Sequence, residues 1–175
     1  GLALATLATY ILIYTPLKCR TPLATVVGAV PGALPAALGW VAANGSMTLE
    51  AWVLFGIVFL WQIPHFLAIA WMHREEYERA GFRMLPVIDP EGHRTARIAL
   101  IWSLLLWAVS LIPVLVGAAG AGYLAVATAA GAYLTFRAFS LARTRRRSAA
   151  RSLFLASLLY LPLVLGALVA NPSIS

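Results

Sequence analysis

The sequence predicts an all-α fold: a polytopic transmembrane helical bundle of about six helices. Three observations predict it. First, 62% of the 175 residues are hydrophobic and only 11% are charged. A water-soluble chain of this size cannot hide that much apolar surface. Second, the apolar residues come in runs of about 20, the helical length that crosses a hydrocarbon core. Third, the positive charges gather at or beside alternate connections between the runs. Helices are the default for such runs, because an open sheet or irregular chain leaves peptide groups unpaired in lipid.

Six runs stand out, at residues 1–15, 23–43, 49–72, 97–118, 121–140 and 152–170. The first begins at Gly1 with no Met, basic n-region or cleavage site before it. The expectation is therefore an N-terminally truncated fragment, 1–175 forming a single transmembrane domain, rather than a chain with a signal peptide. The second run is crowded by Gly28, Pro31, Gly32 and Pro35, small or kinking residues that let membrane helices approach closely. The third carries Gln62, Pro64 and His65 inside otherwise apolar sequence. Gly117, Gly120 and Gly122 mark the turn between the fourth and fifth runs.

Charge sets the expected orientation. All 13 Lys and Arg side chains lie at the first, third or fifth connection. The first connection carries Lys18 and Arg20. The third carries Arg74, Arg79, Arg83, Arg94 and Arg97. The fifth has Arg137, Arg143, Arg145, Arg146, Arg147 and Arg151 in or beside it. Six alternating spans put those three connections on one side, which the positive-inside rule makes cytoplasmic. The loops at 16–22, 73–96 and 141–151 are thus expected to be cytoplasmic. The basic run at 143–151 suits topology and anionic lipid. The pI of 10.3 needs no nucleic acid to explain it, because the arginines sit at membrane boundaries. Cys19 is the only cysteine, so no internal disulfide is expected.

Candidate chemistry gathers at the third connection. Five of the six acidic residues lie between Glu75 and Glu91, although a loop serving topology alone would be basic. Carboxylates at a membrane surface suit Mg²⁺, which prefers oxygen ligands and shares them with phosphates; a solvated, salt-bridged loop is the alternative. Ionisable groups within a span usually face a cavity or another helix. His65 lies seven residues before Met72, about 10 Å deep at 1.5 Å per residue. Were the helix to continue to Glu76, Gln62, His65, Met72 and Glu76 would share a face about 80° wide. His65 then has three readings: an interhelical hydrogen bond, a metal or haem contact, or proton transfer. Lys18 and Arg20 suit an anionic head group such as diphosphate, or topology alone. Gly81-Phe82-Arg83-Met84-Leu85-Pro86 reads as a turn with a proline stop, able to wall a greasy substrate. From these residues a lipid-modifying enzyme and a proton-coupled transporter using His65 are both open.

Three stretches together resemble one family. Tyr14-Thr-Pro-Leu-Lys18-Cys-Arg20-Thr21-Pro22 resembles a basic Tyr-Thr to Thr-Pro stretch, Trp61-Gln-Ile-Pro64-His65-Phe-Leu-Ala-Ile-Ala-Trp71 a W-Q-x-P-H-F segment, and His73-Arg74-Glu75-Glu76-Tyr77 through Ala80-Gly81-Phe82 and Met84-Leu85-Pro86 an acidic loop. All three are similar to stretches of the protohaem IX farnesyltransferases, or haem O synthases, among the UbiA-type intramembrane prenyltransferases. The resemblance implies helices four to nine of a nine-helix fold. It implies transfer of farnesyl from farnesyl diphosphate to a vinyl group of haem b, giving haem O on the route to haem A and terminal oxidases. It implies Mg²⁺, with Glu75 and Glu76 on the metal side and Glu76 better aligned with His65. Tyr77 would position substrate. Lys18, Arg20 and Arg74 would hold diphosphate or haem propionates, and His65, with Gln62 beside it, would contact haem. The implied setting is the inner (plasma) membrane, with membrane lipid and haem A synthase or oxidase assembly factors as partners. The chain departs from the family at Cys19, often Arg, Ala24, often Asn, and His73, often Tyr. His73 to Tyr77 also replaces an Asp-x-x-x-Asp pattern common in related enzymes. The family's Asn-x-x-x-Asp motif, found between its second and third helices, does not occur here.

Overall fold

The computed structural model describes residue 21 and residues 23–171. Among them the chain is helical, without strands, and five helices are long and apolar enough to cross a membrane. They are α1 (Ala24–Asn44), α2 (Leu49–Met72), α5 (His93–Ser110) running on through α6 (Ile112–Leu115), α7 (Ala121–Thr144) and α8 (Arg147–Ala170). Two short helices, α3 (Arg74–Arg79) and α4 (Leu85–Ile88), occupy the third connection. The expected run at 1–15, with Lys18 and Arg20, lies outside the described residues.

Local chemistry explains the ends. Gly45 closes α1 in the left-handed conformation, its N–H donating to Val41 O at 2.8 Å, a role that favours glycine. Arg145 closes α7 in the same way at φ 52°, the one non-glycine residue with positive φ among those described. Pro113 interrupts the α5–α6 span just after Leu111, because proline has no N–H to give and its ring crowds the preceding turn.

Three boundaries differ from the sequence reading, for related reasons. The span expected from residue 97 begins at His93, because the buried Asp89 carboxylate accepts from Thr95 N (2.7 Å) and Thr95 Oγ1 (2.9 Å) and caps its first turn. The fifth connection shrinks from 141–151 to residues 145–146. Arginines keep helical backbone while their long stems carry the charge outward. Finally, α2 does not continue to Glu76. His73 leaves helical geometry at φ −113°, ψ 22°, and α3 starts anew, its first turns accepted by His73 O.

The spans form a closed set of contacts. Helix α2 packs against α1, α5 and α8, and α7 completes the ring between α5 and α8. Small buried residues sit where helices meet, including Ala29, Ala68, Ala99, Ala127, Ala138 and Ala156. Gln62 of α2 reaches α1, its Nε2 donating to Ala29 O at 3.1 Å and to Val58 O at 3.2 Å. Gly32 makes this possible, because a Cβ there would press against the Gln62 amide, 3.0 Å from its Cδ. At one end, the Gly120 N–H meets Asn171 O at 3.1 Å. At the other end lie α3, α4 and the arginine-bearing turns. Large apolar side chains such as Leu155, Leu159 and Leu163 cover the outside, as a surface facing lipid requires.

Candidate active site

Trp71, at the last turn of α2, organises the basic end. Its indole Nε1 donates to Arg145 O at 3.2 Å, joining α2 to the α7–α8 turn. The Arg74 guanidinium lies 4.8 Å from the Trp71 ring and donates to Pro90 O at 3.0 Å. Gly92, at φ 74°, lies against the same ring: a Cβ there would fall 2.7 Å from Trp71 Cζ3. One indole therefore touches the helix that follows it, the residue before α5 and the distant α7–α8 turn.

Around it lies a cavity of about 190 Å³ whose wall includes His73, Arg74, Glu75, Glu76, Arg145 and Arg147. The fold thus brings Arg74, Glu75 and Glu76 together, as the sequence reading expected, and adds Arg145 and Arg147 from the opposite turn. Glu76 pairs with His73 Nδ1 at 3.0 Å. Tyr77 is half-buried beside Phe82, their rings 5.9 Å apart, and does not line the cavity. Met84 Sδ accepts from Thr25 Oγ1 at 3.9 Å, so the Gly81–Pro86 stretch is tied to α1.

The described residues contain no group of three or more His, Cys, Asp or Glu side chains able to hold a metal ion. Glu75 and Glu76 therefore do not form a closed Mg²⁺ site by themselves.

His65 lies deeper in α2 and faces α8. Its Nδ1 is 2.9 Å from Ser157 Oγ. It stacks on Trp61 at 4.7 Å and tilts against Phe154 at 5.2 Å. Trp61 Nε1 donates to Ser157 O at 2.7 Å, and Ser157 Oγ donates to Phe154 O at 2.7 Å. The serine proton is used in that last bond. For the His65 contact also to be a hydrogen bond, Nδ1 must carry the proton, which leaves the lone pair on Nε2. The interhelical bond considered for His65 is thus formed, and it orients the imidazole. With the helix broken at His73, Glu76 does not extend the His65 face. The two are linked instead through α8, whose first turn lines the mouth and whose third holds the imidazole.

Sequence reasoning did not single out Ser157, Trp71 or Arg147 as site residues. Only Trp71 carried a signal, as part of the quoted 61–71 segment.

This is an intramembrane helical bundle with a charged mouth at one end, and the chain belongs to the UbiA prenyltransferase family, which matches residues 1–164. Its relatives narrow the class. It is 47% identical to the protoheme IX farnesyltransferase of Solibacter usitatus, over 98% of this chain and 59% of that protein. It is 41% identical to that of Koribacter versatilis, over 99% and 58%, and 44% identical to that of Opitutus terrae, over 96% and 57%. The chain therefore spans a little under three fifths of the length of these curated relatives. No solved structure matches it. Nothing in the comparisons favours the transporter reading of His65.

Proposed function

We propose that this chain carries the larger part of a protohaem IX farnesyltransferase: an enzyme that joins the farnesyl group of farnesyl diphosphate to a vinyl group of haem b, forming haem O for haem A and terminal oxidases. The observation that carries the reading is the single mouth where Arg74, Arg145 and Arg147 meet Glu75 and Glu76, at the end of a bundle with an oriented imidazole inside. The names of the relatives at 41–47% identity support it.

The chemistry asks for these parts. The allylic C–O bond breaks and diphosphate leaves with the electron pair, so cationic groups at the mouth stabilise the charge that develops. The vinyl π pair forms the new C–C bond to farnesyl. Water captures the resulting cation beside the macrocycle and loses a proton, giving the hydroxyethylfarnesyl group. An apolar bundle shields the farnesyl cation from early capture by water. Arg74 holds anionic oxygens together with Lys18 and Arg20. Tyr77 positions substrate through the loop it packs in, His65 contacts haem, and Gln62 keeps α1 against α2 beside it. Glu75 and Glu76 would help to hold Mg²⁺, which would supply charge neutralisation for diphosphate. The basic end is cytoplasmic by the positive-inside rule, in the inner membrane, with haem A synthase or oxidase assembly factors as recipients of the product.

The test uses the complete protein in liposomes with haem b, farnesyl diphosphate and Mg²⁺. His65→Ala and Glu76→Ala are expected to insert normally and lose haem O formation. Full activity in both variants would overturn these assignments.

A further inference from the structure

Arg147, Arg151 and Phe154 recur on α8 at i, i+4 and i+7, within about 60° of one another on the helix surface. They share a second cavity, of about 570 Å³ and open to the outside of the bundle, with Met72, His73 and the outward-facing Leu155. No acidic side chain lines it, whereas the 190 Å³ cavity contains both Glu75 and Glu76. The larger pocket thus has a cationic wall without a carboxylate, and it adjoins the acidic one, with Met72, His73 and Arg147 bordering both.

Neither Arg147 nor Arg151 has a carboxylate partner. Among the described residues the ion pairs are His73–Glu76 and His93–Glu91. The first turn of α8 has no acidic residue either, although the positive end of a helix dipole disfavours added cations. Arg147, in that first turn, is thus held where its own helix repels it, and Arg151 follows one turn on without a carboxylate partner. Topology accounts for basic residues at this end. It does not account for their lining a pocket whose floor, Phe154, is in ring contact with His65. From Arg151 to Ser157, which holds His65, is six residues, or about 9 Å along the helix. That is on the scale of the reach from the centre of a tetrapyrrole to its carboxylates.

We propose that Arg147 and Arg151 form the subsite for the two propionate carboxylates of the tetrapyrrole acceptor, whose ring extends along Phe154 toward His65. The assignment rests on the farnesyltransferase reading for the identity of the acceptor. Paired guanidiniums suit this task, since each presents a planar fork that fits a carboxylate.

The test titrates the complete protein in nanodiscs with protohaem IX and with its dimethyl ester, following absorbance. Arg147→Gln/Arg151→Gln is expected to weaken binding of the diacid at least tenfold and to leave the diester unchanged. Arg147→Lys/Arg151→Lys should recover part of the loss. Arg94→Gln/Arg97→Gln removes the same charge from exposed positions outside both cavities and should leave both affinities unchanged. The proposal is overturned if the Gln pair binds the diacid as the wild type does. It is overturned equally if the control pair weakens the diacid as much, which would indicate general electrostatics. Loss of co-purifying anionic phospholipid with unchanged diacid affinity would assign the arginines to lipid and also overturn it. Failure of the underlying reading shows separately, as wild-type protein that binds the diacid yet forms no farnesylated product.

Discussion

Gly92→Ala provides a sharp test of how the mouth is built. Gly92 sits at φ 74°, and an added Cβ would fall 2.7 Å from Trp71 Cζ3 and 3.0 Å from Cζ2. Two costs follow. A side chain in the left-handed region costs about 1–2 kcal/mol. Forcing the indole aside adds about 1–3 kcal/mol of overpacking. Gly81 separates the two, because it has the same φ of 74° with nothing within 4 Å of its would-be Cβ. Gly81→Ala should therefore cost only the first amount, and Gly92→Ala should exceed it by about 1–3 kcal/mol. The assay is reversible unfolding in mild detergent titrated with SDS. Repeating Gly92→Ala in a Trp71→Leu background completes a double-mutant cycle. There the excess should vanish, because the ring that the methyl strikes is gone. Equal costs at positions 81 and 92, or an excess that persists without the indole, would refute the placement of Trp71 as the organiser of this end.

Two further substitutions test the bundle itself in the same unfolding assay. Gly131 faces Trp107, whose Nε1 lies 2.8 Å from the would-be Cβ; Gly131→Ala should cost about 1–3 kcal/mol, whereas Gly166→Ala, with open space around it, should be neutral or stabilising by up to about 1 kcal/mol. Tyr160 Oη bonds Ser110 Oγ at 2.6 Å between buried residues of α8 and α5; Tyr160→Phe should cost about 0.6–2 kcal/mol, and Tyr133→Phe, at an exposed phenol, close to nothing.

Much of the architecture was legible because lipid imposes a length and a polarity that sequence displays directly. Five expected runs correspond to α1, α2, α5–α6, α7 and α8. Boundaries were less legible, because hydropathy marks where a helix is apolar, not where it ends. His93 to Arg97 and Arg147 to Arg151 are helical despite their charge. The acidic third connection also had a mixed cause. Asp89 was counted with the other carboxylates, yet it is buried and caps α5. The site was legible where its parts are neighbours in sequence, as with Arg74, Glu75 and Glu76. It was not legible where parts meet across the bundle. Ser157 lies 92 positions from the histidine it orients, and an ordinary serine in an apolar helix announces nothing. Arg145 and Arg147 looked like topology signals until the fold placed them opposite the glutamates.

We propose above that the charged mouth and the apolar bundle beneath it serve one prenyl transfer to a tetrapyrrole. The most direct test of that transfer is the mass of haem extracted after the complete protein has been incubated with haem b and farnesyl diphosphate labelled in the prenyl chain. The extracted haem is expected to carry the labelled farnesyl group plus the elements of one water molecule. Recovery of unmodified haem alone, from inserted and folded protein supplied with Mg²⁺, would contradict it.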